Sequence, residues 1–193
     1  RASMEEVKTS IDMEKFWESS SAVAVVSSAI CRQLNLGLTD EAYTLGLFHN
    51  AGIPIIAQKV ENYNEIIQSA YAREDGGITR EEFKNIGMHH AAAGYRLTRV
   101  WKLPSLISEA VKNHHSVERL LDDSADENPK LKSLVSVLKI SEHMVKLHKR
   151  LGAEDNDYEW DKIKLSVLGF LGLSEYDEED LEDAVSYTLG GIP

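Results

Sequence analysis

Histidine is the residue type through which this chain could do chemistry. There are seven, His49, His89, His90, His114, His115, His143 and His148, and imidazole both ligates metal ions and moves protons near neutral pH. Little else is on offer. No cysteine pair has zinc-ribbon spacing and no H-E-x-x-H run occurs. No glycine-rich phosphate loop follows a predicted strand, because no strand is predicted. The single cysteine, Cys31, falls on an apolar helical face, where a free thiol ordinarily belongs to the core. Ser/His/Asp catalysis has no local nucleophile elbow to support it.

Each histidine also has a plain structural reading. His49, at a helix end, can donate to a backbone carbonyl. His90 precedes "AAAG", a run that suits close helix packing around a buried, hydrogen-bonded ring. His114 and His115 are consecutive, so on a helix they point about 100° apart; one of them is expected to face a pocket while the other is structural or solvated. His89, His143 and His148 are expected at the surface or on a rim. Trp17, Trp101 and Trp160 read as core anchors, not as a platform for stacking bases.

The elements that must position these residues are helices. Apolar residues recur at helical spacing from Phe16 through Val23, Val26 and Ile30 to Leu34, with Gly37 as a stop. Thr39 caps "DEAYTLGLFHN", and Pro54 fits the first turn of a short segment. "YNEIIQSAYARED" closes at Gly76-Gly77, and Thr79 with Glu82 has capping-box spacing for the next helix. "GMHHAAAGYRLTRVWKL" ends before Pro104, which can open "PSLISEAVKNHH". Pro129 can open one long helix that runs to Gly152. Between them "SVERLLDDSADEN" reads as a solvated acidic loop. Two more helices follow, the last opening on acidic residues, as the helix dipole favours. The expectation is an all-α, compact multi-helix bundle of roughly eight to ten helices, forming a single domain over residues 1–193.

Composition narrows the function classes. The 193 residues are 42% hydrophobic and 27% charged, which suits a globular domain with a real core. The longest apolar stretches are short and interrupted by serine, so no membrane span and no membrane partner is expected. With one cysteine and no secretory signal, a cytoplasmic location is expected. The formal charge of −11, from 32 acidic and 21 basic residues, repels polyphosphate backbones, so no nucleic-acid partner is expected. "DEEDLED" reads as a solvated helix face.

Three stretches in order, "FWESSSAVA", "LGLFHNAGIPIIAQ" and "IGMHHAAAGYRLTRVWKLPSLISEAVKNHH", resemble the landmarks of the HDOD domain, a signalling offshoot of the HD superfamily of metal-dependent phosphohydrolases. The resemblance runs from about Phe16 to about Leu147, with a weaker echo in "SVLGFLGLSE" among the C-terminal helices of 148–193. The usual leading helical segment of the family is expected to be absent here. In catalytic relatives a first-helix histidine, an adjacent His-Asp pair, further histidines and a late aspartate hold one or two metal ions. The resemblance puts Ser19 at the first histidine, His49 and Asn50 at the His-Asp pair, His90 and His114 or His115 at the later histidines, and Glu142 near the late aspartate.

Those substitutions set the functional expectation. Aspartate carries charge and can bridge two ions, whereas the amide of Asn50 is neutral and offers one weak oxygen; Ser19 lacks the imidazole donor. These positions are therefore expected to be vestigial, with no catalytic residues, no cofactor, and at most a single weakly bound divalent metal. The resemblance implies a non-catalytic signalling or scaffolding module of bacterial signal transduction, acting on a protein partner beside cyclic-dinucleotide or two-component machinery. The alternative is a metal-dependent phosphohydrolase, acting on phosphodiesters or nucleotides, with an atypical ligand set.

Overall fold

The structure is a computed structural model that describes residues 9–122 and 128–189. Among the described residues there are twelve helices and no strand: α1 (Met13–Gln33), α2 (Thr39–Phe48), α3 (Gly52–Ala57), α4 (Tyr63–Tyr71), α5 (Ile78–Ile86), α6 (His90–Val100), α7 (Ser105–Asn113), α8 (Val117–Asp122), α9 (Pro129–Met144), α10 (Leu147–Gly152), α11 (Tyr158–Leu171) and α12 (Glu175–Leu189).

The apolar stripe of α1 is buried as its spacing predicts: Phe16, Val23, Val26 and Ile30 are all but inaccessible. Asp12 caps the helix by accepting from the backbone N–H groups of Glu14 and Lys15. α1 lies against α2, α9 and α12, while α6 joins α7 to α3. Two apolar cores result. The larger takes Val23, Val26 and Ile30 of α1 together with much of α9; the smaller gathers Phe16, Ile53, Tyr63, Ile66 and Ile67. Helix α9 is buried almost all round, including Lys132, Lys139 and Glu142, which is the habit of a central helix and not of a surface one.

Four departures from the sequence reading have physical causes. The helix count rises to twelve partly because "VERLLD" forms α8 instead of a solvated loop, burying Val117 and Leu120; residues 123–127 of that stretch lie outside the described residues. The expected long helix to Gly152 breaks at Lys146, which takes a left-handed conformation (φ 56°), and the turn lets Leu147 and His148 pack inward. His148 is accordingly not a rim residue: its ring is buried beside Asp157, which also accepts from His143. Of the three tryptophans only Trp160 is a core anchor; Trp17 and Trp101 remain 39% and 49% exposed, set edge-on against Phe16 and Phe48.

One close approach fixes where the histidines stand. A Cβ on Gly52 would lie 2.0 Å from the carbonyl oxygen of His90 and 2.7 Å from the amide nitrogen of Gly94, so α3 and α6 touch backbone to backbone. Gly52 follows His49 by three residues and His90 opens α6. The contact therefore ties the two chemistry-bearing segments together.

Gly52→Ala should cost about 1–3 kcal/mol through overpacking, and more if α3 separates from α6. Gly169→Ala, at a helical site with open space around it, should instead gain about 0.5–1 kcal/mol. Chemical denaturation of both variants checks the pair; an unchanged midpoint for Gly52→Ala would contradict the close approach.

Candidate functional site

His49 is delivered by the end of α2, where its N–H bonds the carbonyl of Leu45. Its ring turns back so that Nδ1 donates to the Gly46 carbonyl at 2.7 Å, which is the plain structural bond its helix-end position predicts. Because a carbonyl only accepts, this bond places the proton on Nδ1 and leaves Nε2 with a lone pair. Burial lowers the His49 pKa to about 3, so the ring is neutral at physiological pH.

Nδ1 is likewise the bonded nitrogen of three more rings. His114 donates from Nδ1 to the Val111 carbonyl at 2.6 Å. His90 donates from Nδ1 to Glu82 Oε2 at 2.7 Å, and His115 from Nδ1 to Glu159 Oε1 at 2.6 Å. Glu82 is held ionised despite its burial by His90 and by the hydroxyl of Tyr63, which donates to it. With every Nδ1 committed, the Nε2 atoms of His90, His114 and His115 face one another. His90 Nε2 is 3.2 Å from that of His114 and 3.0 Å from that of His115.

Both members of the adjacent pair thus reach the same centre, against the expectation that only one would. His114 is the C-terminal cap of α7 and His115 lies beyond it. The rings are not on a continuing helix, so the 100° separation does not apply. Burial holds both of their pKa values well below the ordinary histidine value.

Lys139 dominates the other half of the site. Its ammonium, 2% exposed, donates to Glu142 Oε2 at 2.7 Å and to Glu159 Oε2 at 2.9 Å. Burial works against its charge, but the two carboxylates more than offset this and its pKa is raised. Glu142 meets His49 on its other oxygen, Oε1 to Nε2 at 3.3 Å. Burial pushes the Glu142 carboxyl up while Lys139 pulls it down, and the upward shift prevails. Polar groups therefore follow one another from Tyr63 through Glu82, His90, His115, Glu159 and Lys139 to Glu142, which approaches His49 without a hydrogen bond.

Of the residues expected to share a site, His49, His90, His114, His115 and Glu142 come together. Ser19 is buried in α1, where its hydroxyl donates to the Lys15 carbonyl. Asn50 is buried with Oδ1 lacking a hydrogen-bond partner. Sequence reasoning missed Glu82, Lys139 and Glu159. Glu82 was read as a capping-box residue, but α5 starts at Ile78 with no side-chain cap, and the carboxylate turns inward to His90.

One divalent ion fits the three facing Nε2 atoms. Ligand bonds of about 2.0–2.1 Å in a tetrahedral shell put nitrogens roughly 3.3 Å apart, close to the 3.0 and 3.2 Å found here. Each Nδ1 is anchored, as outer-shell partners of metal-bound histidines are. An ion bound there would act as a Lewis acid on water or a phosphate oxygen. A two-ion centre does not fit, because Asn50 cannot bridge and Lys139 already engages both Glu142 and Glu159.

Access is narrow. His49, His90 and His114 are fully buried; His115 and Glu159 border a cavity of about 260 Å³, which Arg80, Arg119 and Lys162 also line, and Lys139, Glu142 and Glu159 border a small one of about 10 Å³.

The comparisons with known proteins agree with this fold. The HDOD domain model matches residues 1–117, and the chain belongs to the HDOD family. Lys139, Glu142 and Glu159 lie beyond the matched stretch. An HDOD domain protein of unknown function from Geobacter sulfurreducens superposes with a TM-score of 0.66 at 20% identity, covering 96% of this chain and 62% of that one. A "putative phosphohydrolase" from Shewanella amazonensis gives 0.61 at 18% identity, covering 93% and 61%. At that identity the likeness concerns the fold. The chain spans about three fifths of the length of these two structures. No curated protein matches. No helix among the described residues is long and apolar enough to cross a membrane.

Neutral burial of the rings has a pH signature. Burial depresses His49, His114 and His115 in the folded chain, so the stability they contribute is present above about pH 6.5 and lost as pH falls below it, toward about 3 in the case of His49. Each such group costs about 1.4 kcal/mol per pH unit inside its window. Glu142 has the opposite sense: its raised carboxyl contributes stability below 4.5 that is lost as pH rises toward 7. Three groups against one leave a net loss on acidification. Chemical denaturation with a chelator present should give a lower stability at about pH 5 than at about pH 7; a flat profile would contradict neutral burial.

Proposed function

We propose that this HDOD domain is a non-catalytic module of a bacterial signalling pathway, in which a degenerate HD site serves as a buried polar core. The observation that carries this reading is the Lys139 ammonium bonded to both Glu142 and Glu159. Phosphoryl transfer needs cations that stabilise charge developing on substrate oxygens. Here the fixed cation is spent on the protein's own carboxylates, inside a cluster whose rings are largely closed to solvent.

A domain without turnover acts through contacts. The charge of −11 makes a basic protein surface the fitting partner, in preference to nucleic acid or an anionic membrane. Such an association should weaken as salt rises through the physiological range.

One observation favours a second reading. The converging Nε2 atoms of His90, His114 and His115 form a three-nitrogen set, and an ion held there would make the domain a mononuclear phosphohydrolase with an atypical ligand set. Hydrolysis assays separate the two readings. The purified chain, supplied in turn with manganese, iron, nickel, magnesium or zinc, should not cleave model phosphodiesters or nucleotides above background. Asn50→Asp alone should not restore turnover, since Ser19 still lacks its imidazole. Robust cleavage by the unmodified chain, abolished by His49→Ala or by His90→Ala, would overturn the proposal.

A further inference from the structure

We propose that Lys139 is a built-in cation standing in for a second metal ion, so that this polar core accepts one divalent ion at most. The inference rests on the reading of the site given above and names the residue that enforces it.

The surroundings of Nζ are those of a cation site. Carboxylate oxygens from two different segments converge on it, Glu142 Oε2 of α9 and Glu159 Oε2 of α11, and Nδ1 of His115 lies 3.4 Å away. The 2.7 and 2.9 Å contacts are charge-assisted hydrogen bonds, longer than the roughly 2.0–2.2 Å at which a metal ion would hold carboxylate oxygens. The two carboxylates are therefore satisfied by a proton-bearing cation fixed to the chain.

A second observation points to the same place. His49 Nε2 and Glu142 Oε1 are both buried and neither has a hydrogen-bond partner, although they stand 3.3 Å apart. His49 has its proton on Nδ1, so Nε2 turns a lone pair toward that oxygen. Two idle donor atoms beside an ammonium, together with the oxygens that ammonium occupies, make one nitrogen and three oxygens. That set suits a hard or borderline divalent ion such as manganese. What denies it entry is the side chain of Lys139, which no solvent exchange can remove.

The lysine thus acts on specificity. It fixes the charge and the ion count of the core, and it lets Glu142 and Glu159 be buried without metal. Shortening it to alanine should vacate the position and leave two carboxylates short of a cation. Arginine should keep the charge and still exclude the ion.

The test is manganese stoichiometry after equilibration and dialysis, read by elemental analysis, with thermal melting as a companion. The unmodified chain and Lys139→Arg should bind the same number of ions, one or none. Lys139→Ala should bind one additional equivalent per chain, and manganese should raise its melting temperature more than that of the unmodified chain. Adding Glu142→Gln to Lys139→Ala should abolish the extra equivalent, because it removes a charged ligand while easing the excess negative charge. Equal stoichiometry in Lys139→Ala and the unmodified chain would overturn the lysine's role. So would two ions in the unmodified chain, or a Lys139→Ala chain that fails to fold even in millimolar manganese. Hydrolysis by the unmodified chain, with the extra ion still gained on Lys139→Ala, would instead overturn the non-catalytic reading and leave this inference standing.

Discussion

The ammonium of Lys139 is the constraint around which the polar half of this domain is arranged. An uncompensated buried charge is costly, and breaking a buried pair typically costs about 3–5 kcal/mol. α9 therefore cannot occupy the middle of the molecule unless carboxylates reach Lys139. Glu142 does so from the same helix and Glu159 from α11. Glu159 then orients His115, and Glu142 meets His49. Four segments are thereby tied to a single charge, and the positions of two of the four central imidazoles follow from it. Backbone also fixes His49, and it fixes His114: each donates to a carbonyl three residues earlier, while Glu82 holds His90.

Packing and chemistry are coupled through glycine on the opposite side. Gly52 lets α3 meet α6 backbone to backbone, and the atom it approaches is the carbonyl oxygen of His90 itself. Any side chain there would displace the residue whose ring lies between Glu82 and the other two imidazoles. The "HNAG" stretch thus carries two separate requirements. His49 belongs to the polar cluster and Gly52 to the apposition that builds it, so the persistence of such a stretch can reflect the second requirement alone. A family likeness in these residues is therefore evidence of architecture before it is evidence of turnover.

What the sequence made legible follows the range of the interaction. The buried stripe of α1 has a 3.6-residue period, and a period is visible in one dimension. The convergence of His49, His90, His114 and His115 was legible only through an ordered family resemblance, since 41 residues separate the first two and no local rule joins them. Glu82 was misread because its spacing from Thr79 imitates a capping box, while its real partners, Tyr63 and His90, lie on other segments. Lys139 and Glu142 have the three-residue spacing of an ordinary surface ion pair. Only burial of α9 on every side turns that pair into the centre of a network, and burial on every side is a tertiary fact. The break at Lys146 left no trace either, because a left-handed lysine has no sequence signal of the kind glycine provides.

Charge explains why Asn50 and Lys139 belong together. A site built for two divalent ions needs carboxylates in excess, and each becomes a liability once the ions are gone. Removing the ions from such a cluster leaves two remedies: neutralise an acid, or supply a cation that cannot leave. On the reading proposed above Asn50 is the first remedy, a near-isosteric amide at the position the family resemblance assigns to an acid, buried with its Oδ1 unpaired. Lys139 is the second, bonded to the acids that remain. An aspartate at position 50 with Lys139 unchanged would add a negative charge to a core whose fixed cation is already engaged twice. It would then favour a proton over a metal ion, since burial raises carboxyl pKa values in this cluster, as it does for Glu142. On that reading the two residues act as one adjustment of charge, and reversing either alone would leave the core out of balance.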